Sequence, residues 1–192
     1  MKKIILSACL MAVTALTAQL VAAHGGATGI VKERMDLMEE MKDSVKAVAA
    51  IFKGQTDYNA DTIRHAAEII KMHSGDAMTK LFPEGSLSGH SEAKPLIWDE
   101  WQRFKNLADR QVRLAEGLYR AAANKQSDTG HMMGGSGGMM GSDSMMGSGS
   151  MMGGSEHMMD DPEQLAQMPA SMVFQMVTDN CSSCHERYRE EE

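Results

Sequence analysis

The sequence predicts an all-α protein, an antiparallel four-helix bundle, and three observations lead to this fold class. Apolar residues recur at steps of three and four in four separate stretches, which is the spacing of one helix face. Glycine and proline, which end helices, fall between those stretches. No stretch gives the signal of a strand. Four amphipathic helices bury their apolar faces by packing on one another, so a bundle follows.

The first predicted helix covers residues 30–52 and ends at Gly54, and Asp61 is the predicted cap of the second helix. Both carry an apolar stripe that a neighbouring helix can cover. The first stripe comprises Val31, Arg34, Met38, Met41, Val45, Val48 and Phe52. The second comprises Ile63, Ala66, Ala67, Ile69 and Ile70.

The third predicted helix opens at Pro95, a favourable first-turn residue, and continues to about Asn124. Before the fourth helix, Asp161 and Pro162 predict a capped short turn, and Pro169 moves the start of the main helix to about that residue. The stripe of the third helix comprises Ile97, Trp101, Phe104, Ala108, Ala115 and Leu118. That of the fourth comprises Phe174, Val177, Cys181, Cys184 and Tyr188.

The chain divides into four segments. Residues 1–23 have the basic start, apolar stretch and small-residue end of a cleaved export signal, which predicts a periplasmic protein. Threonine and glutamine interrupt that short apolar stretch, so we expect no stable membrane insertion. Residues 24–126 hold the first three helices, and residues 161–192 the fourth. Residues 127–160, with ten Met and ten Gly and no periodicity, predict a disordered insertion between the third and fourth helices.

Composition excludes several classes of function. The formal net charge of −7 argues against a general nucleic-acid binder. No Ser/His/Asp constellation and no nucleotide-binding loop are present in the sequence, so we do not expect an enzyme. Cys9 falls in the signal, which leaves Cys181 and Cys184 as too few cysteines for a disulfide-scaffolded module.

The strongest motif is Cys181-Ser182-Ser183-Cys184-His185. It has the c-type haem attachment pattern, in which two thiols form thioethers with the haem vinyl groups and the histidine ligates iron. On a helix the three side chains share one face. A redox dithiol, a structural disulfide and half of a zinc site are the alternatives, but the dithiol lacks a βαβ context and zinc lacks a second ligand pair at suitable spacing. The motif predicts one haem c, attached near the C-terminus of the bundle.

Several separated stretches together resemble one known family. They are Val31-Lys32-x-Arg34-x-x-x-Met38, Lys53-Gly54-x-x-x-Tyr58, Leu81-Phe82-Pro83, Ala93-Lys94-Pro95-x-Ile97-Trp98, Phe104-Lys105 and Cys181-x-x-Cys184-His185-x-x-Tyr188-Arg189. The chain resembles the class II cytochromes c, which include cytochrome c' and the low-spin cytochromes of the c-556 type. The likeness covers nearly the whole mature chain except residues 127–160, whose length departs from the compact loop usual in the family.

The resemblance implies a role for each of four residues. His185 is the expected proximal iron ligand, Arg34 is expected near a haem propionate, and Arg189 beside the ligand or the haem edge. Met38 occupies the distal position, where family members carry either an unligated apolar residue or a methionine bound to iron. With His/Met ligation the protein is expected to transfer single electrons, whereas an open distal side would bind nitric oxide or carbon monoxide. Met38 as an ordinary core residue is the competing interpretation.

The resemblance and the charge also bear on partners. Family members often pair as homodimers through their first two helices, although intramolecular packing already explains the stripe of the first helix. The acidic surface favours redox partner proteins with a basic docking patch.

The Met/Gly-rich insertion contains its own repeat. Met-Met pairs begin at positions 132, 139, 145, 151 and 158, and a histidine precedes the first and the last pair. Thioether sulfur is a soft donor that suits monovalent copper, Cu(I), or silver. The repeat therefore predicts a soft-metal site, against the alternatives of an inert flexible insertion and a tract that reacts with oxidants. The candidate ligands at its two ends are His131, Met132, Met133, His157, Met158 and Met159.

Overall fold

The computed structural model describes residues 27–87, 90–125 and 160–190, and these ranges contain four long helices and three short ones. No strand occurs within the described ranges, where the one isolated bridge joins Ala93 to Arg189. The all-α fold class is confirmed. The helices are α1 (Gly29–Phe52), α2 (Ala60–Met72), α3 (Asp76–Thr79), α4 (Leu96–Asp99), α5 (Trp101–Ala121), α6 (Pro162–Leu165) and α7 (Ala170–Tyr188).

The long helices form an antiparallel four-helix bundle, as predicted. Near the start of α7, Ala170 N donates to Asn124 O just beyond the end of α5. Near the end of α7, the Tyr188 ring contacts Phe104 close to the start of α5, with 5.4 Å between centroids. The two helices therefore run in opposite directions. Fully buried aliphatic residues from all four long helices fill the interior: Val48, Ile63, Ile70, Leu114, Leu118, Val173 and Val177.

The buried face of α1 is rotated from the predicted stripe. Leu37, Ser44 and Ile51 are buried, whereas Met38, Val45 and Phe52 are half-buried. The reason is that α1 packs mainly on α2 and only sparsely on α7, so the centre of its buried face turns toward α2. Four members of the predicted stripe are buried (Val31, Arg34, Met41 and Val48), and the other three lie at its half-buried edge.

Local signals explain where α2 begins and where the third predicted helix breaks. Asn59, not Asp61, caps α2, because its side chain accepts hydrogen bonds from the N–H groups of Asp61 and Thr62 at 2.9 Å. The third predicted helix is two helices, since the backbone leaves the helical region at Glu100 between α4 and α5. Trp101 is exposed rather than buried, and Gln111 occupies a buried position that the predicted stripe left out.

The approach to α7 follows the sequence closely. Asp161 caps α6 by accepting a hydrogen bond from Glu163 N at 3.1 Å, and Pro162 is its first residue. Leu165 packs against α5 at Gly117, where any Cβ atom would collide with the leucine side chain. Pro169 then immediately precedes α7, as predicted.

Two predicted segments lie outside the described residues. They are the export signal at residues 1–23 and the Met/Gly-rich insertion up to residue 159. Asp160, predicted as the last residue of the disordered insertion, is instead buried and pairs with Arg113 at 2.7 Å. Among the helices of the described part of the chain, none is both long and apolar enough to cross a membrane.

Candidate functional site

The Cys-Ser-Ser-Cys-His motif occupies the last two turns of α7. Cys181 and Cys184 are free thiols that are half-buried, and His185 beside them is more exposed. Burial raises the pKa of both thiols, that of Cys184 to about 11. Partial desolvation and the nearby Arg189 charge lower the pKa of His185. At neutral pH the site therefore offers two protonated thiols and a neutral imidazole, which is the form of histidine that ligates a metal.

A short backbone pairing fixes the C-terminal end of α7. Lys94 N donates to Tyr188 O at 2.8 Å, and Glu190 N donates to Glu92 O at 2.7 Å. The side chain of Arg189 adds an ion pair with Glu92 at 2.6 Å. The loop before α4 thus holds the helix end that carries His185.

Arg187 and Glu100 form a second anchor, which the sequence did not predict. Arg187 donates to the Glu100 carboxylate from Nε and Nη2, and Tyr188 OH donates to the same group at 3.1 Å. These hydrogen bonds, chiefly those from Arg187, lower the pKa of Glu100 to about 2. Glu100 lies at the break between α4 and α5, so the anchor joins that break to the last turn of α7.

Arg34 lies at the same end of the bundle and is buried, with 6% of its surface exposed. Its Nε donates to Leu81 O at 2.6 Å, its Nη2 to Ser86 O at 2.8 Å and its Nη1 to Ser91 Oγ at 3.3 Å. The guanidinium also lies 4.3 Å from the centroid of the Phe82 ring. Arg34 therefore holds Leu81, Ser86 and Ser91 through neutral groups, and burial lowers the pKa of Arg34.

Met38 lies one turn further along α1 than Arg34 and is half-buried. It shares a stripe with Phe52, whose ring contacts Phe174 of α7 at 5.5 Å between centroids. At 1.5 Å rise per residue, Met38 is about 21 Å along α1 from Phe52, and His185 is about 16 Å along α7 from Phe174. Because the two helices run antiparallel, Met38 and His185 lie within about one helical turn of the same level.

A buried amide pair, missed by the sequence analysis, flanks Cys181. Gln111 of α5 is 3% exposed, and its Nε2 donates to Cys181 Sγ at 3.4 Å. Asn180 is 2% exposed and donates to Gln111 Oε1 at 2.6 Å. The spacing of Gln111 from Ala108 and Ala115 would have placed it on the buried face, but a polar side chain is not counted in an apolar stripe.

An aromatic cluster lies beneath the same helix end. The Phe104 ring contacts those of Phe82 and Tyr188 at centroid distances of 5.0 and 5.4 Å. Trp98 Nε1 donates to Phe82 O at 3.1 Å, so its polar atom is satisfied within the protein. Both Trp98 and Phe104 serve as packing residues here.

The donor set fits a covalently attached haem. Two thiols three residues apart and an imidazole on the next residue are the groups that c-type attachment uses. Half-buried apolar side chains that pack against the core are present on α1 (Met38, Val45 and Phe52) and on α7 (Met176 and Cys184), and α1 and α7 pack only sparsely on each other. An apolar macrocycle could cover such surface. No group of three or more His, Cys, Asp or Glu side chains gathers in the described ranges to form another metal site.

Comparisons with known proteins agree with this chemistry. The family model described as Cytochrome C' matches residues 29–141, more than half of the chain, and ends before the cysteine motif. Cytochrome c-556 of Agrobacterium tumefaciens (strain II Chrys) is 38% identical over 80 residues, which cover 42% of this chain and 64% of that protein. Cytochrome c' of Pararhodospirillum photometricum is 32% identical over 103 residues, which cover 53% and 79%.

A solved structure extends the likeness to the whole fold. It is a nitric oxide complex of a cytochrome c prime variant from Alcaligenes xylosoxidans, with a TM-score of 0.53 and 21% sequence identity. The match covers 84% of this chain and 94% of the other. At this identity it carries the four-helix fold alone.

Proposed function

We propose, from the premise that this chain belongs to the cytochrome c' family, that it transfers single electrons through one covalently attached haem c. Cys181 and Cys184 would hold the haem through two thioethers, and His185 would be the proximal iron ligand. When bound, the haem supplies an iron that alternates between the ferrous and ferric states. The protein supplies the two thiols, a neutral imidazole and a fixed helix end, and Arg189 lies one turn beyond His185 on that end.

The position of Met38 is the observation that favours electron transfer over gas binding. It lies near the level of His185, on the α1 stripe that reaches α7 at Phe174, and it is half-buried rather than locked in the core. A thioether is a soft, uncharged ligand that suits haem iron and raises its potential. Met38 as sixth ligand would also exclude small molecules from the distal side.

The visible spectrum of the full-length holoprotein tests this proposal. We expect sharp, split low-spin bands in the reduced wild-type protein, and a shift to a broad high-spin Soret band in Met38→Leu, which keeps the side-chain volume but removes the sulfur. Met35→Leu is the matched control, because Met35 is also half-buried on α1 and should keep the low-spin spectrum. A high-spin wild-type spectrum would remove Met38 as a ligand.

That contrary result would favour the alternative function, a five-coordinate protein that binds nitric oxide or carbon monoxide. The nitric oxide complex of a structural neighbour supports this alternative for the fold, not for this chain. Carbon monoxide added to the reduced protein separates the two functions. We expect little spectral change if Met38 blocks the iron and rapid conversion if the distal side is open.

Location and partners follow from charge and sequence. We propose export to the periplasm, with cleavage after residue 23, and exchange of electrons with a redox protein that has a basic patch. The acidic charge predicts that this association weakens as salt rises. A role as electron carrier rather than enzyme, and assembly as a homodimer, are part of the same proposal.

A second proposal concerns the Met/Gly-rich insertion, whose candidate ligands lie outside the described residues. The observation that favours Cu(I) binding is the regular Met-Met repeat, with histidines at both ends. Deletion of residues 127–159 should preserve the haem spectrum and abolish uptake of Cu(I) under reducing conditions. Equal uptake by the intact and shortened proteins would rule this role out.

A further inference from the structure

The amide of Gln111 is buried between α5 and α7, where a polar group must be satisfied from within the protein. Gln111 is 3% exposed and Asn180 is 2% exposed. Burying an amide is unfavourable unless it is hydrogen-bonded. Two buried amides, each unfavourable to bury without hydrogen bonds, therefore lie next to Cys181, the first cysteine of the motif. Their hydrogen bonds connect α5 to the sulfur of that cysteine.

A backbone carbonyl group fixes the orientation of both amides. Leu107 O can only accept, so Asn180 turns its Nδ2 group toward that oxygen, at 3.1 Å. The same Nδ2 group donates to Gln111 Oε1 at 2.6 Å. Gln111 must therefore turn its Nε2 group the other way, toward Cys181 Sγ at 3.4 Å. A fixed carbonyl of α5 thus determines which group faces the sulfur.

The two thiols differ in this respect. Cys181 receives the Gln111 hydrogen bond, whereas in the described ranges no side-chain donor reaches the sulfur of Cys184. Both cysteines are half-buried on the same helix, so exposure does not distinguish them. The difference lies in α5, which supplies a directed donor to one sulfur only.

We propose that Gln111 is a positioning residue that holds Cys181 Sγ in one orientation and so favours thioether formation at Cys181 over Cys184. This inference rests on the proposed attachment of haem. In that reaction the thiol S–H adds across a haem vinyl group: an S–C bond forms, the vinyl double bond becomes single and the sulfur's proton goes to the terminal carbon. No net oxidation occurs. Asn180 acts indirectly, by orienting the Gln111 amide.

Single-cysteine chains test the proposal, since a merely structural role would affect both cysteines. Gln111→Leu is introduced into full-length Cys184→Ala and full-length Cys181→Ala, and covalent attachment of ferrous haem is measured by mass spectrometry. We expect the yield to fall about fivefold in the chain that relies on Cys181, the factor expected for one net hydrogen bond. The chain that relies on Cys184 should keep its yield. Gln102→Leu, an exposed glutamine of the same helix, is the control and should change neither.

A second readout needs no haem. In the reduced chain with both cysteines, the alkylation rates of Cys181 and Cys184 are compared by peptide mapping. A hydrogen bond to sulfur stabilises the thiolate, and the Gln111 contact opposes the rise in the pKa of Cys181 that burial causes. Gln111→Leu should therefore slow Cys181 relative to Cys184, whereas Gln102→Leu should leave the ratio unchanged.

The outcomes separate this inference from the proposed function. Equal losses of haem yield in both single-cysteine chains, or an unchanged alkylation ratio, would overturn the role of Gln111. If single-cysteine chains attach no haem, the alkylation ratio decides. If the wild-type protein itself attaches no haem, the proposed function fails, whatever the thiol ratio shows.

Discussion

Two arginine clusters lie at the same end of the bundle, and they differ in their hydrogen-bond acceptors and in their burial. The first, the Arg34 cluster, joins Arg34 to backbone and hydroxyl oxygens of Leu81, Ser86 and Ser91 and to the Phe82 ring. The second, the Arg187 cluster, joins Arg187 and Tyr188 to the Glu100 carboxylate. The Arg34 cluster is buried, whereas Glu100 and Arg187 retain 25% and 36% of their side-chain exposure.

The difference is one of charge compensation. The Glu100 carboxylate neutralises Arg187 and, through its hydrogen bonds, raises the pKa of Arg187. Within the described ranges no carboxylate pairs with Arg34, and its pKa is lowered because burial disfavours the charge. A buried, uncompensated guanidinium suits an acidic group, and we propose that a haem propionate is that group. In the Arg187 cluster the two charges compensate each other, and the cluster anchors the helix end to the break between α4 and α5.

Breaking the Arg34 cluster should have the largest effect. Arg34→Met keeps an apolar stem but removes the donors that Arg34 supplies to Leu81 O, Ser86 O and Ser91 Oγ. Ser91 Oγ still accepts from Ala93 N at 3.3 Å, so the two carbonyl oxygens lose most. We expect the free energy of unfolding to fall by about 3 kcal/mol, because hydrogen bonds to a charged group are worth about 1.5 to 3 kcal/mol. Urea unfolding of the full-length protein measures it. Arg34→Lys, which keeps the charge but not the planar fork, should lose less, and equal losses would show that the fork geometry is unimportant.

The sequence predicted the features that depend on near neighbours. The end of α1 at Phe52, the Asp161 cap and the start of α7 after Pro169 follow from periodicity and from residues a few positions away. The grouping of Cys181, Cys184 and His185 on one α7 face is equally local. Each of these depends on the chain within one or two helical turns, where backbone geometry is fixed.

Features that depend on a distant partner could not be predicted in this way. The pairing of Glu100 with Arg187 joins residues 87 positions apart. From the sequence alone, each of the two side chains would be predicted to be a solvated surface charge. Gln111 is similar, because its partner at Cys181 is 70 positions away. The rotation of the α1 face also depends on which helix packs beside it, and that is known only once the bundle is assembled.

A smaller effect is expected when the Arg187 cluster is broken at its carboxylate. The pKa of Glu100 is lowered from 4.5 to about 2, first by the hydrogen bonds from Arg187. A carboxyl whose pKa is lowered on folding stabilises the protein above its unfolded pKa, and that contribution disappears as pH falls toward the folded value. Glu100→Gln should therefore flatten the loss of stability between about pH 4.5 and pH 2. Urea unfolding at several pH values in that window measures the slope.

The control for Glu100→Gln is the exposed pair of the same helix end. Glu92 and Arg189 are each about half exposed, at 47% and 48%, so solvent and salt screen their attraction. Glu92→Gln should leave the acid slope close to that of the wild-type protein. If Glu92→Gln flattens the slope as much as Glu100→Gln does, the total acidic charge, and not the hydrogen bonds from Arg187, governs stability in acid. The pH dependence of unfolding would then not distinguish the compensated Arg187 from the uncompensated Arg34.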